Sequence, residues 1–262
     1  MTIPGRPDFW GKLRNAQRKR RTRLGLTLAV WRDRMPAPML PVDDPVFPFA
    51  RAILEEVGGW ICACAVPLIP FLTEGAAGMV AMERLMRYLP DDLPILLDAR
   101  WRDPASAGAY LRTAFEVWGA DAVTVAPELP AEAVPLVATN GAVFWWAREA
   151  PEAEIAGRHT RAARARGLPA GLACSAPADA AISVPTDLPW LALEVQDPSE
   201  LSRMVGGSPP VVVFVGEPIL YASRRMDFRE AARRAVEHWA QQLAAWLPVD
   251  ASDPQGKQRT SG

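Results

Sequence analysis

The sequence predicts an α/β fold, a single-domain (β/α)8 TIM barrel. Three observations carry this: eight short β-type runs, helical or helix-length segments between them, and a length of 262 residues. Barrels of this kind occupy about 250 residues as one domain. Their strands are buried on both faces and therefore read as continuous apolar runs rather than as alternating ones.

The first element is a helix over Phe9 to Arg23, expected to pack on the barrel, with its basic run Arg18-Lys19-Arg20-Arg21 as a solvated face. The run Leu24 to Val30 is the first strand, and the proline-rich stretch Arg32 to Asp44 is a long loop after it. Trp60 to Val66 and Pro94 to Ala99 are the next strands. A helix then starts with Asp103 as its cap and Pro104 at its first position. Ala107, Leu111, Ala114, Phe115 and Trp118 recur at three- and four-residue spacing until Gly119. Asp121 to Ala126, Ala142 to Ala147, and runs beginning at Gly171, Trp190 and Val211 complete the eight. The segment Glu149 to Ala170 reads as helical and charged. In the last helix Asp227 and Glu230 form a capping-box-like pair, and Phe228, Ala232, Val236, Trp239, Leu243 and Trp246 share a face. The expected organisation is an N-terminal helical segment over 1–23, the barrel over 24–247, and a disordered polar tail over 248–262.

Composition excludes several classes. A formal net charge of −1 gives no reason to expect a polyanion partner, so no nucleic acid is implied. The longest apolar stretch, Trp60 to Leu72, is shorter than the ~20 residues a membrane span needs and contains Pro67 and Pro70. No secretory signal is read at the N-terminus, and the expected compartment is cytoplasmic. Cys62, Cys64 and Cys174 are expected to be reduced and buried, because a Cys-x-Cys pair has the wrong spacing for zinc and His159 and His238 are distant. No metal or other cofactor is implied, and no Gly-rich phosphate loop, nucleophile elbow or His-centred triad is visible.

One window carries a resemblance. LDARWRDPASAGAYLRTAFEVWGADAVTVAPEL, Leu97 to Leu129, resembles the signature region of the longer bacterial orotidine 5'-phosphate decarboxylases. There, a strand ending in Asp-x-Lys-x-x-Asp is followed by a helix and a Gly-Ala-Asp-Ala-Val-Thr-Val strand. Phe9 to Gln17, Tyr88 to Ala99 and Pro218 to Ala235 follow in family order, so the resemblance spans roughly residues 9 to 246. It implies the same barrel, a homodimer formed through the barrel mouth, and a reaction in which a lysine ammonium within a Lys-Asp-Lys-Asp array stabilises and protonates a carbanion.

Several implied positions differ. The first lysine falls at Val66, the proton-donating lysine at Arg100, the ribose-binding aspartate within Thr27 to Val30 with Ala29 in its place, and the phosphate-gripping arginine at Glu217. Asp98 and Asp103 match, and Gln196 is a weak match in the substrate turn. An arginine keeps the charge but is a poor proton donor, with a pKa above about 12. The expectation is therefore a barrel that has lost decarboxylation and acts as a non-catalytic or partner-binding homologue, with a small-molecule nucleotide ligand doubtful. The alternative is an active decarboxylase converting orotidine to uridine monophosphate, or a lyase on a related carboxylated ligand acting through Asp98, Arg100 and Asp103. Those three residues read equally as an ion-pair cluster with a helix cap. Trp101, Trp145 and Trp146 read either as packing or as a stacking surface for a planar ligand.

Overall fold

The computed structural model describes residues 8–135, 141–175, 182–206 and 209–249. In chain order its strands are β1 (Leu24–Thr27), β2 (Ala63–Pro67), β3 (Ile95–Trp101), β4 (Ala122–Val125), β5 (Ala142–Ala147), β6 (Ala170–Cys174), β7 (Ile182–Val184), β8 (Trp190–Ala192), β9 (Met204–Gly206) and β10 (Val212–Val215). Eight of them close a parallel barrel in the order β1-β2-β3-β4-β5-β6-β8-β10, as the sequence predicted. Its helices are α1 (Phe9–Arg20), α2 (Val46–Val57), α3 (Leu68–Thr73), α4 (Gly75–Tyr88), α5 (Ala107–Arg112), α6 (Ala150–Ala165), α7 (Glu217–Leu220) and α8 (Phe228–Trp246).

Strand side chains alternate between two cores, because successive residues of a strand point to opposite faces. Leu97, Val123 and Trp145 pack outward against the helices, while Leu96, Ala122, Phe144, Leu191 and Phe214 fill the inside. The interior pairs large with small. Phe214 faces Gly25 across β10 and β1, and Phe144 faces Gly171 across β5 and β6. A β-carbon on Gly25 would lie 2.5 Å from the Phe214 ring, and one on Gly171 would lie 2.6 Å from that of Phe144. Those glycines are the space the rings occupy.

Helix α1 closes the N-terminal end of the barrel. Asp8 caps it by accepting from Gly11 N at 2.6 Å, and Phe9, Leu13 and Ala16 join the interior cluster. Lys12 Nζ lies 2.6 Å from Asp121 Oδ2, with side chains only 9% and 4% exposed. The same carboxylate oxygen accepts from Ile95 N at 2.9 Å. The basic run is less solvated than predicted. Arg20 is largely buried and donates to Gly58 O, and Lys19 and Arg20 both pair with Asp92 in the turn before β3.

Four further expectations are corrected. Strands β7 and β9 form a separate two-stranded parallel sheet, standing where helices were expected to cover the crossovers into β8 and β10. Helix α5 begins at Ala107, not Pro104, and continues as a π-helical turn over Thr113–Val117. Asp227 makes no capping bond to α8, because its carboxylate accepts from Ser223 Oγ at 2.6 Å. Trp246 leaves the packed face of α8 and is exposed. Residues 1–7 of the N-terminal segment and 250–262 of the expected tail lie outside the described residues. Among the described residues no helix is long and apolar enough to cross a membrane.

Removing one partner of a buried ion pair strands the other charge in a poorly solvating interior. Lys12→Met is expected to lower stability by about 3–5 kcal/mol, read as a shift of the urea unfolding midpoint at unchanged slope.

Candidate active site at the barrel mouth

The opposite end of the barrel is open. A cavity of about 560 Å³ is lined by residues at and beyond the C-terminal ends of β1, β2, β3, β8 and β10, including Ala29, Trp31, Pro67, Asp98, Arg100, Glu194, Gln196 and Glu217. Active sites of this fold sit at that face, since eight strands deliver their following loops to one rim.

The chemistry centres on Asp98, which is 8% exposed. A buried carboxylate needs partners for both oxygens. Thr124 on β4 donates its hydroxyl to Asp98 Oδ1 at 2.6 Å. Arg100 donates through Nε to Oδ1 at 3.2 Å and through Nη2 to Oδ2 at 3.1 Å. To reach back two residues, Arg100 adopts a left-handed backbone with φ of 49°, and its N–H donates to Thr124 Oγ1 at 3.0 Å. The β3–β4 register shifts between Leu97 and Trp101 as a result. The guanidinium lies 4.3 Å from the centroid of the Trp146 ring. Its Nη2 also donates to Glu194 Oε1 at 2.5 Å. Glu194 too is left-handed, with φ of 57°. Burial works against the Arg100 charge, but Asp98 and Glu194 outweigh it and push the arginine above its ordinary pKa.

The structure thus brings Asp98 and Arg100 together and sets Asp103 apart. Asp103 is exposed, and its carboxylate accepts from Ala105 N, Ser106 N and Ser106 Oγ. Those hydrogen bonds, that of Ser106 Oγ foremost, hold its pKa below the ordinary carboxylate value. Gln196 does line the cavity, with Nε2 donating to Glu194 O at 3.3 Å. Val66 packs outward in the helix-facing core, whereas its neighbours Ala65 and Pro67 face the cavity. Glu217 is not a bare negative charge, because Arg34 from the loop after β1 pairs with it. Arg34 also lies 4.6 Å over the Tyr221 ring. The Tyr221 hydroxyl accepts from Trp31 N and donates to Ala29 O, and burial raises its pKa to about 12.

The three tryptophans separate. Trp145 is fully buried and donates to Leu129 O. Trp101 stacks on Tyr110 with centroids 4.8 Å apart. Trp146 is the one placed under a functional group. Tyr110 is buried, and among the described residues its hydroxyl has no hydrogen-bond partner; burial, and secondarily the Asp98 charge, raise its pKa. The cysteines are free and buried, and burial raises the thiols of Cys62 and Cys174 to about 12.

Thr124, Glu194 and Arg34 were not singled out from sequence, and Trp146 was read there only as packing or as a stacking surface for a planar ligand. Thr124 was recoverable, since it lies two residues from Ala122 on the inward phase of β4. Glu194 and Arg34 are 94 and 183 residues from their partners, and no local signal marks them.

No family model matches the chain. Among curated proteins, it is 32% identical over 234 residues to the orotidine 5'-phosphate decarboxylase of Thermomicrobium roseum, covering 78% of this chain and 83% of that protein. It is 42% identical over 118 residues to the protein of the same name from Roseiflexus sp., covering 44% of this chain and 43% of that one. Among solved structures, Leishmania donovani OMP decarboxylase aligns with a TM-score of 0.68 at 18% identity, covering 91% of this chain and 98% of that chain. The Plasmodium berghei enzyme aligns with a TM-score of 0.67 at 11% identity, covering 89% and 96%. The structural likenesses establish the barrel alone.

Two outcomes are expected here. Tyr110→Phe removes a buried hydroxyl that has no partner among the described residues and should raise stability by about 1 kcal/mol in urea unfolding. Asp103 has a depressed folded pKa, so its contribution is present above the unfolded carboxylate pKa and is lost as pH falls through the folded one. The melting-temperature gap between the wild type and Asp103→Asn should therefore be seen at pH 7 and close in acid.

Proposed function

Because this chain belongs to the orotidine 5'-phosphate decarboxylase family, we propose that its barrel mouth keeps a ligand site at the position of that chemistry but has lost the decarboxylation, leaving a non-catalytic, partner-binding homologue. The observation that carries this is the nature of the cation at the mouth. Among the described residues lining the cavity, the cation is Arg100, and it is already tied to two carboxylates. The sequence contains three lysines, Lys12, Lys19 and Lys257. Lys12 is committed to Asp121 at the other end of the barrel, and Lys19 to Asp92 on the surface. Lys257 lies outside the described residues.

A carbanion next to a departing carboxyl group needs a positive charge and a transferable proton. Arg100 offers the charge, but a guanidinium, raised further here by Asp98 and Glu194, gives up its proton poorly.

A second reading, an active decarboxylase, has its own support. A relative named for that activity aligns with 78% of the chain, and the cavity sets Asp98 and a cation side by side. Taken alone the comparisons weigh toward this second reading; Arg100 weighs against it. Part of the proposal is also a homodimer through the mouth, supported by the exposed apolar side chains Ile69 and Leu72 on α3, beside the cavity. Three buried free thiols fit a reducing, cytoplasmic setting.

With orotidine 5'-phosphate as substrate, release of carbon dioxide is expected to stay at the uncatalysed rate. Turnover near an ordinary enzyme rate, about 10 per second, would establish the second reading instead. Light scattering on a sizing column should give a dimer that Ile69→Glu converts to monomer; a monomeric wild type removes the dimer from the proposal.

A further inference from the structure

We propose that His159 is a proton-sensitive latch on the loop that follows β4: its neutral imidazole holds the loop against α6, and protonation releases it. This goes beyond the reading of the mouth, since it holds whether or not the mouth is catalytic.

The loop leaves the C-terminal end of β4 on the rim of the open face, where Ala126 N donates to Trp101 O at 2.9 Å. It then dips into the helix-facing core, and Leu129, Ala131 and Val134 are buried there. Backbone groups at that depth need partners, because water does not reach them. Strand β5 and helix α6 supply them. Trp145 Nε1 donates to Leu129 O at 2.8 Å. Arg166, just past the end of α6, donates to Ala131 O and, at 3.1 Å, to Val134 O. The Ala131 N–H meets a titratable acceptor instead: it donates to His159 Nδ1 at 3.4 Å.

That contact fixes the state of the ring. Nδ1 accepts only when it carries no proton, so the proton of the neutral imidazole sits on Nε2. A second proton turns Nδ1 into a donor facing another donor. The Ala131 amide is then buried without an acceptor, and the loop has to shift to bring it to water.

The surroundings hold the ring neutral. His159 is half-buried, with the Trp145 ring centroid 6.1 Å from its own. Burial is the main influence that lowers its pKa below 6.5; Glu132 on the loop opposes this, and Arg158, its neighbour on α6, adds to it. Strand β5, Ala142–Ala147, brings no ionisable side chain to the contact. Arg166 keeps its charge throughout and binds the carbonyls of the loop, not the ring. A histidine whose folded pKa is lowered contributes stability that is fully present above the unfolded value and is lost as pH falls from there through the folded one. The loop is therefore held at neutral pH and loosened in mild acid.

The test is amide hydrogen exchange on the full chain, corrected for the intrinsic pH dependence of exchange, with the ring titrations of His159 and His238 followed by NMR. Protection of the Ala131 amide should fall about tenfold between about pH 8 and about pH 5, with its midpoint at the pKa of His159. That comparison needs no variant. His159→Asn, which offers an oxygen near the place of Nδ1 but does not titrate, should keep the amide protected throughout; His159→Phe should leave it poorly protected throughout. His238→Asn should leave the step where it was. Glu132→Gln should keep the step and move its midpoint to lower pH, because Glu132 favours the charged ring. Protection that does not change with pH, a midpoint away from the His159 titration, or a step that survives His159→Asn or vanishes in Glu132→Gln overturns the latch.

Discussion

A single buried carboxylate organises the open end of this barrel. Asp98 lies where β3 meets the cavity, and an unpaired charge at that depth would be costly. Satisfying it draws in the Thr124 hydroxyl from the neighbouring strand and bends Arg100 back over its own strand. The left-handed backbone this requires costs on the order of 1–2 kcal/mol, an amount that three charge-assisted or buried hydrogen bonds offset. The local bulge it creates sends Trp101 outward onto Tyr110 and aims the Arg100 guanidinium at Trp146 and Glu194. The shape of the mouth follows from neutralising Asp98.

A second buried pair, Lys12 with Asp121, acts at the other end. It fastens α1 under the barrel while Phe9, Leu13 and Ala16 join the interior rings. Below the mouth the interior is filled by the fit of Phe144 and Phe214 against glycines on adjacent strands. Rigidity below and loops above is the usual division of labour in this fold, in which the filled lower layers hold the strand ends that present functional groups. On either side of β8 the crossovers contribute a two-stranded parallel sheet, β7 with β9.

The cation beside Asp98 is Arg100, whose guanidinium forms several directional hydrogen bonds and resists deprotonation. Arg34 compensates Glu217 from a different loop, so the mouth carries a second ion pair beside that of Asp98 and Arg100. An assignment made from aligned positions alone misjudges both Val66, which faces the helices, and Glu217, which has a partner.

The sequence by itself determined the barrel. Apolar runs of strand length, the Pro104 to Gly119 helical period and the Leu97 to Leu129 resemblance are local or collinear signals, and strand burial imposes them directly on composition. It also marked Asp98 and Arg100, through the resemblance of that strand end to the family's Asp-x-Lys-x-x-Asp motif. Tertiary structure alone decided that Asp103 caps a turn outside the cavity, that Trp146 and not Trp101 or Trp145 lies under the guanidinium, and that Glu194 and Arg34 complete the charge network. The physical reason is that ion pairing depends on distance in space, and barrel closure makes neighbours of residues that no sequence period relates.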